Sequence, residues 1–178
     1  VGILGGAMFR DFAIVATAIG ASFYLVRKAG LLGMISLFFG IGLFFIMGVI
    51  LAYAWGYRDA ASLCTIGAGA CTYIVGPVTG AAVGASSEVI ALSIAAGVVK
   101  TIAVTIITPI AAQKIGLNSP ESAMAFGGLM GTSSGVAAGL AATDPKLVPY
   151  GAVTATFYTG MGCLICPSLF YILLEMIF

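Results

Sequence analysis

Five consecutive residues, Gly131-Thr132-Ser133-Ser134-Gly135, set three hydroxyls between two glycines. Their order satisfies G-x-S-x-G, the arrangement that presents a nucleophilic serine in hydrolases. Such a serine needs a base, ordinarily histidine, to take its proton. The chain has no histidine. A Ser–Lys dyad through Lys100 is the formal substitute, and no strand precedes Ser133 as a nucleophile elbow requires. An intramembrane serine hydrolase is therefore the least favoured reading. The same five residues suit another chemistry. Glycines let a helix unwind, and the helix that restarts offers free N–H groups and partial positive charge to an anion. Hydroxyl and carbonyl oxygens also suit a hard cation such as Na⁺.

A second stretch matches the first. Glycines at 76, 80 and 84 recur at 131, 135 and 139, a constant offset of 55. Gly76-Pro77 predicts a break in the first stretch, because proline removes a backbone donor and glycine relaxes the chain. Glycine spaced by four is also what close helix packing selects. Two facing broken helices around a small carboxylate would draw on Gly76, Thr79, Gly80, Gly131, Thr132, Ser133, Ser134 and Gly135. Thr79, Thr132, Glu88 and Asp144 are the candidate cation ligands, and each acid is alternatively a cap for the helix after it. Lys100, in the middle of an apolar run, is a candidate counter-charge.

The elements that must hold these groups follow from composition. Of 178 residues, 61% are hydrophobic and 7% charged, too few charges to cover a water-soluble surface. The apolar runs are unbroken rather than alternating, so the fold class is an all-α polytopic membrane protein with the lipid bilayer as solvent. The net charge of +1 suggests no nucleic-acid partner. No cofactor is implied. Cys163-Leu164-Ile165-Cys166 is formally C-x-x-C, but thiolates are costly in such apolar sequence. The pair reads as small packing residues.

Phe12 to Val26 is too short to cross a ~30 Å core unaided and reads as a half-helix or interfacial helix. Leu31 to Trp55 is the clearest span, closed by Tyr53, Trp55 and Tyr57 as an interfacial belt. Between residues 60 and 88, 18 of 29 positions are Gly, Ala, Ser or Thr, against 7 of 25 in 31–55. That segment must be buried against protein. Val89 to Gln113 reads as another span. Asn118 or Ser119 caps the next helix, with Pro120 in its first turn and Glu121 complementing its dipole. In residues 123–143, 15 of 21 positions are again small. Asp144 and Pro145 then open the last span, Leu147 to Phe178. Phe9-Arg10-Asp11 and Tyr57-Arg58-Asp59 share a pattern explained by an interfacial aromatic, a snorkelling arginine and an aspartate cap, or by a gating ion pair.

Each small-residue stretch is followed by an acid and a long apolar helix with a late proline, Pro109 or Pro167. The chain thus reads as one transmembrane domain over 1–178, with internal repeats near 60–113 and 120–178. Each is a broken small-residue helix, or a re-entrant hairpin, plus a spanning helix. Paired interrupted segments in matching halves point to a transporter's binding site. If the small segments cross, the copies are parallel; if they re-enter, the copies are inverted. Counting every segment as a crossing puts Arg10, Arg58 and Lys114 on one side and Arg27, Lys28 and Lys146 on the other. The start at Val1, inside an apolar stretch, suggests missing N-terminal helices.

These stretches carry a family resemblance. "GGAMFRDFAIVATA" (5–18), "TIGAGACTYIVGPVTGAAVGASSEVIALSIAAGVVK" (65–100) and "FGGLMGTSSGVAAGLAATDPKLVPYGAVTATFYTGMGCLICPS" (126–168) resemble the MadM subunit of bacterial malonate transporters. The resemblance implies malonate as substrate, Na⁺ as coupling ion, a smaller membrane partner, MadL, and a multi-pass place in the bacterial inner membrane. It assigns no binding residues. The expected function is that of a secondary-transporter subunit importing malonate by Na⁺ symport. Another small dicarboxylate, or proton coupling, is the alternative within transport. A structural membrane subunit without its own site is the alternative outside it.

Overall fold

A computed structural model describes the backbone of residues 23–178 and the side chains from residue 31 onward. The described residues are helical throughout their ordered elements. Helix α1, Phe23–Ala54, is bulky, proline-free and long enough to span. Leu31, Phe39 and Ile46 face outward, whereas Leu37, Ile41 and Phe45 turn into the core. It ends at Gly56, which takes a positive φ of 105°. Tyr53 and Trp55 stand exposed there. Arg58 lies over the Tyr53 ring at 3.8 Å and donates to the Tyr53 and Tyr57 carbonyls. Asp59 caps the next helix, accepting from the Ser62 N–H at 2.8 Å. Interfacial anchoring therefore accounts for Tyr57-Arg58-Asp59. Phe9-Arg10-Asp11 and most of Phe12 to Val26 lie outside the described residues.

Helices α2, Ala60–Cys71, and α3, Val75–Val83, form a hairpin. Its register can be read from contacts between glycines. A Cβ on Gly76 would fall 2.8 Å from the Gly69 Cα, and one on Gly80 would fall 2.8 Å from the Thr65 methyl. Pairing 69 with 76 and 65 with 80 makes the arms antiparallel, with the turn at Thr72–Ile74. The small residues allow this close approach. The break thus falls before Gly76-Pro77, not at it. Pro77 is the third residue of α3, a first-turn position whose N–H has no helical partner to lose. Thr72 makes the turn, its Oγ1 accepting from the N–H groups of Ile74 at 3.2 Å and Val75 at 3.1 Å.

Helix α4, Ser87–Ala111, is capped by Ser86, whose Oγ accepts from the Val89 N–H at 3.3 Å. A second hairpin follows, made of α5, Pro120–Met130, and α6, Ser133–Ala141. Ser119 and Ser122 close a reciprocal capping box at its start, as Pro120 and Glu121 in the first turn led one to expect. Helix α7, Val148–Ile165, begins after a 3₁₀ turn, Pro145–Leu147, and continues through a π turn, Cys166–Phe170, into α8, Tyr171–Glu175. The π turn absorbs Pro167, which has no N–H to give.

Contacts along α7 show that α5 and α6 also double back. Ala123 and Met124 lie beside Gly151 and Thr154, and Gly131 lies beside Tyr158 and Thr159. Leu140 is again beside Gly151. The arms are splayed, α5 against α1 and α7, α6 against α4 and α7. The first hairpin is rooted where α1 ends and α4 begins. The chain's end lies there too, with the Tyr53 and Phe178 rings 5.5 Å apart. The second is rooted at the opposite end, where α4 stops and α7 starts. Two helical hairpins thus enter a scaffold of three candidate spans (Leu31–Ala54, Ser87–Ala111 and Pro145–Glu175) from opposite ends. Each has its own apolar core, one around Leu63, Ile66 and Val75, the other around Val136, Leu140 and Ala155.

Candidate substrate and cation site

The two hairpin tips meet halfway along the spanning helices. On α4, Gly97 rests against the backbone of Thr72 and Tyr73, and one turn on the Thr101 hydroxyl lies 2.6 Å from the Thr132 hydroxyl. On α1, the Ile41 carbonyl accepts from the Cys71 thiol at 3.6 Å and the Gly40 carbonyl from the Tyr158 hydroxyl at 3.2 Å. Tip touches tip through Tyr73 Oη and Ser134 Oγ, 3.3 Å apart. Two helix N-termini, of α3 and α6, and two C-termini, of α2 and α5, therefore converge halfway along the candidate spans.

The tips are not equivalent. Thr72 caps α3 with its own side chain. Thr132 stands immediately before α6, as Ile74 does before α3, and its hydroxyl is turned to Thr101 and gives α6 no side-chain cap. The first intrahelical bond there runs from the Val136 N–H to the Thr132 carbonyl at 2.8 Å, so Ser133, Ser134 and Gly135 present the free amides of a helix start. Gly131 permits the turn: it has φ of 72°, and a Cβ on it would strike the Tyr158 ring. Gly135 lets α6 lie against the Thr101 carbonyl, where a Cβ would come within 2.9 Å. Thr132 is buried, Ser133 half-buried and Ser134 exposed.

Lys100 supplies a cation at the same level. Its ammonium donates to the carbonyl of Cys71, the last residue of α2, at 2.7 Å. It sits 3.4 Å from the Phe44 ring centroid and 5.4 Å from that of Tyr158. No carboxylate pairs with it among the described residues. A lysine at the bilayer centre costs about 3 kcal/mol. A charged hydrogen bond returns about 1.5–3 kcal/mol, and a cation–π contact about 0.5–2 kcal/mol. The negative end of the α2 dipole adds to these. Lys100 also heads a cavity of about 390 Å³ running along α4 through Val104, Ile107 and Ala111. Met130, the last residue of α5, lines the same cavity.

The remaining expected residues lie elsewhere. Gly76 and Gly80 are packed within the first hairpin, against Ser93 and against Ile90 and Thr65. Thr79, one turn below the first tip, is fully buried, and its hydroxyl is the one buried side-chain polar atom left without a partner among the described residues. Glu88 is exposed in the first turn of α4, where Ser86 rather than Glu88 forms the cap. Asp144 does cap, accepting from the Lys146 N–H at 3.0 Å, at the opposite face. Cys64, Cys71 and Cys166 are buried, and none of the four cysteines forms a disulfide. No trio of metal-ligating side chains occurs among the described residues.

Sequence reasoning passed over Thr72, Tyr73, Thr101 and Phe44. Two signals were available: an aromatic hydroxyl far from either interfacial belt, and a threonine beside the intramembrane lysine.

No curated protein and no solved structure matches the chain. A family model described as the malonate/sodium symporter MadM subunit matches residues 1–178. With that match along its whole length, and with helices built for a membrane, the chain belongs to the MadM family of malonate/sodium symporter subunits.

Proposed function

We propose that this subunit binds malonate and its coupling cation where the two tips meet. One carboxylate is received by the free amides of Ser133, Ser134 and Gly135, with the serine hydroxyls and Tyr73 as further donors. Lys100 balances the dianion's charge. The observation that supports this reading is the uncapped start of α6, set opposite an intramembrane ammonium without an acid partner among the described residues. Thr79, one turn below the first tip, is proposed as ligand of a second cation, apart from the one at the tips: leaving its hydroxyl unpaired costs about 1–3 kcal/mol, which a cation would relieve. Glu88 and Asp144 sit at opposite faces and are assigned to helix starts instead.

Transport rather than chemistry is the family's activity, so GTSSG is not a nucleophile motif. Coupling answers an energetic need. Against ~100 mV, inside negative, each negative charge imported costs ~2.3 kcal/mol, which co-transported Na⁺ cancels. The two hairpin-plus-span units are read as inverted copies, the turn at Thr72–Ile74 in one matching the turn at Gly131–Thr132 in the other. Re-entrant hairpins put Arg27, Lys28, Lys114 and Lys146 at one face and Arg58 at the other. Positive charge favours the cytoplasm, so the root of the second hairpin is assigned there. The partner is read as the smaller subunit MadL, and the membrane as the bacterial inner membrane.

Uptake of labelled malonate by proteoliposomes holding the full-length protein and its partner tests this. Thr132→Ala combined with Ser133→Ala is expected to weaken apparent affinity at least about tenfold, as loss of charged hydrogen bonds implies. Unchanged affinity would remove this site.

A further inference from the structure

Lys100 raises a question that a fixed counter-charge does not answer. Its ammonium is not aimed at the free amides of α6. It is held on the carbonyl end of α2, with the Phe44 ring against it. A helix C-terminus with free carbonyl oxygen is what a hard monovalent cation would occupy. The lysine therefore stands on oxygen that a coupling Na⁺ would use.

The side chain also has room beside it. The cavity headed by Lys100 reaches Met130, next in sequence to Gly131 of the second tip. Its neighbour Thr101 touches Thr132. A flexible four-carbon stem lets a lysine ammonium move several ångströms about its Cα, as a point charge with rotatable donors. From one Cα, Lys100 reaches the first tip with its ammonium and borders the space beside the second with its stem.

We infer that Lys100 is an internal competitor of the coupling cation: it occupies the α2 carbonyl end in the empty subunit, and Na⁺ arriving at Cys71 displaces it toward the second tip, where it meets the malonate carboxylate. Each ligand then assists the other. Na⁺ releases the ammonium that malonate needs, and malonate holds the ammonium away from the oxygen that Na⁺ needs. By linkage the two effects are equal in size. This rests on the placement of malonate at the second tip proposed above. It adds what that placement lacks, a physical reason for the two ligands to bind together.

The test is direct binding of ²²Na⁺ and labelled malonate to the purified complex of full-length protein and partner. In the wild type, malonate is expected to tighten Na⁺ binding. In Lys100→Met, Na⁺ is expected to bind without malonate, at least about threefold tighter than in the malonate-free wild type, while malonate binding falls at least about tenfold. Phe44→Leu removes the ring that holds the resting ammonium. It is expected to tighten malonate-free Na⁺ binding about two- to tenfold with malonate binding retained, in keeping with an ordinary cation–π contact. Lys100→Met that loses malonate while malonate-free Na⁺ affinity stays at the wild-type value would overturn the competition and leave a plain counter-charge. Unchanged Na⁺ affinity in Phe44→Leu, with the complex intact by size-exclusion chromatography, would overturn it also. If wild-type protein binds malonate but Thr132→Ala with Ser133→Ala does not weaken it, the placement of malonate fails instead.

Discussion

The meeting of the tips depends on Gly97. It lies on α4 where the first hairpin turns, and a Cβ built there would collide with the backbone of Tyr73 and come within 2.8 Å of the Thr72 carbonyl carbon. Backbone cannot rotate away as a side chain can. Gly97→Ala must therefore push the tip from α4 or α4 from the tip. Overpacking of this kind costs about 1–3 kcal/mol. Alanine's better helix propensity returns about 0.5–1 kcal/mol, so the net effect remains unfavourable. Because Tyr73 and Thr101 flank the contact, displacement also spoils the tip-to-tip geometry, and a shift of ~1 Å at a positioned site can cost about a hundredfold. We expect malonate uptake to fall at least about tenfold, with a lower melting temperature for the detergent-solubilised complex. Gly42→Ala and Gly160→Ala serve as controls, since nothing lies within 4 Å of either added Cβ. Both should keep wild-type uptake and stability. Wild-type uptake and melting in Gly97→Ala would refute the packing of tip on helix.

Thr72→Val removes a cap and should destabilise the complex by about 1 kcal/mol, whereas Thr132→Val, which caps nothing with its side chain but loses the bond to Thr101 that positions the second tip, should lose mainly malonate affinity; melting curves beside binding isotherms separate the two. Cysteine placed at Lys114 should react with a membrane-impermeant maleimide only from the cytoplasmic side, and cysteine placed at Gly56 only from outside; the reverse pattern would invert the proposed orientation. Gly131→Ala combines a strained positive φ with a clash on Tyr158 and should abolish uptake, an outcome checked by proteoliposome assay with expression followed by immunoblot.

Much of the scaffold was legible because lipid imposes strong composition rules. Bulky side chains marked α1 and α4 as spans, and small ones marked both hairpins as buried. Ser119, Pro120 and Asp144 gave helix starts that the fold keeps. The first break was misplaced because glycine and proline were read as causes of a break. Here Pro77 sits harmlessly in a first turn, and Thr72 supplies the turn chemistry. Gly76 and Gly80 were read as backbone for a ligand, yet their missing side chains are filled by Gly69, Ser93, Thr65 and Ile90. Re-entry could not be read from spacing, because hairpin arms and crossing helices share the same small residues. Only the pairing of 69 with 76 and of 140 with 151 separates them. The inequality of the tips was equally hidden, since it turns on which partner each threonine hydroxyl takes.

Malonate is proposed to occupy the space before α6, of which Ser134 is the exposed edge. Cys163→Ser with Ser134→Cys, in the full-length complex in proteoliposomes, places a reactive thiol at the tip while the other described cysteines, Cys64, Cys71 and Cys166, are buried. The measurement is the rate of N-ethylmaleimide modification with Na⁺ alone and with Na⁺ plus malonate. Severalfold slower modification when malonate is present, reversed by washing it out, is the predicted result. Equal rates at saturating malonate, in protein that still transports it, would contradict the site.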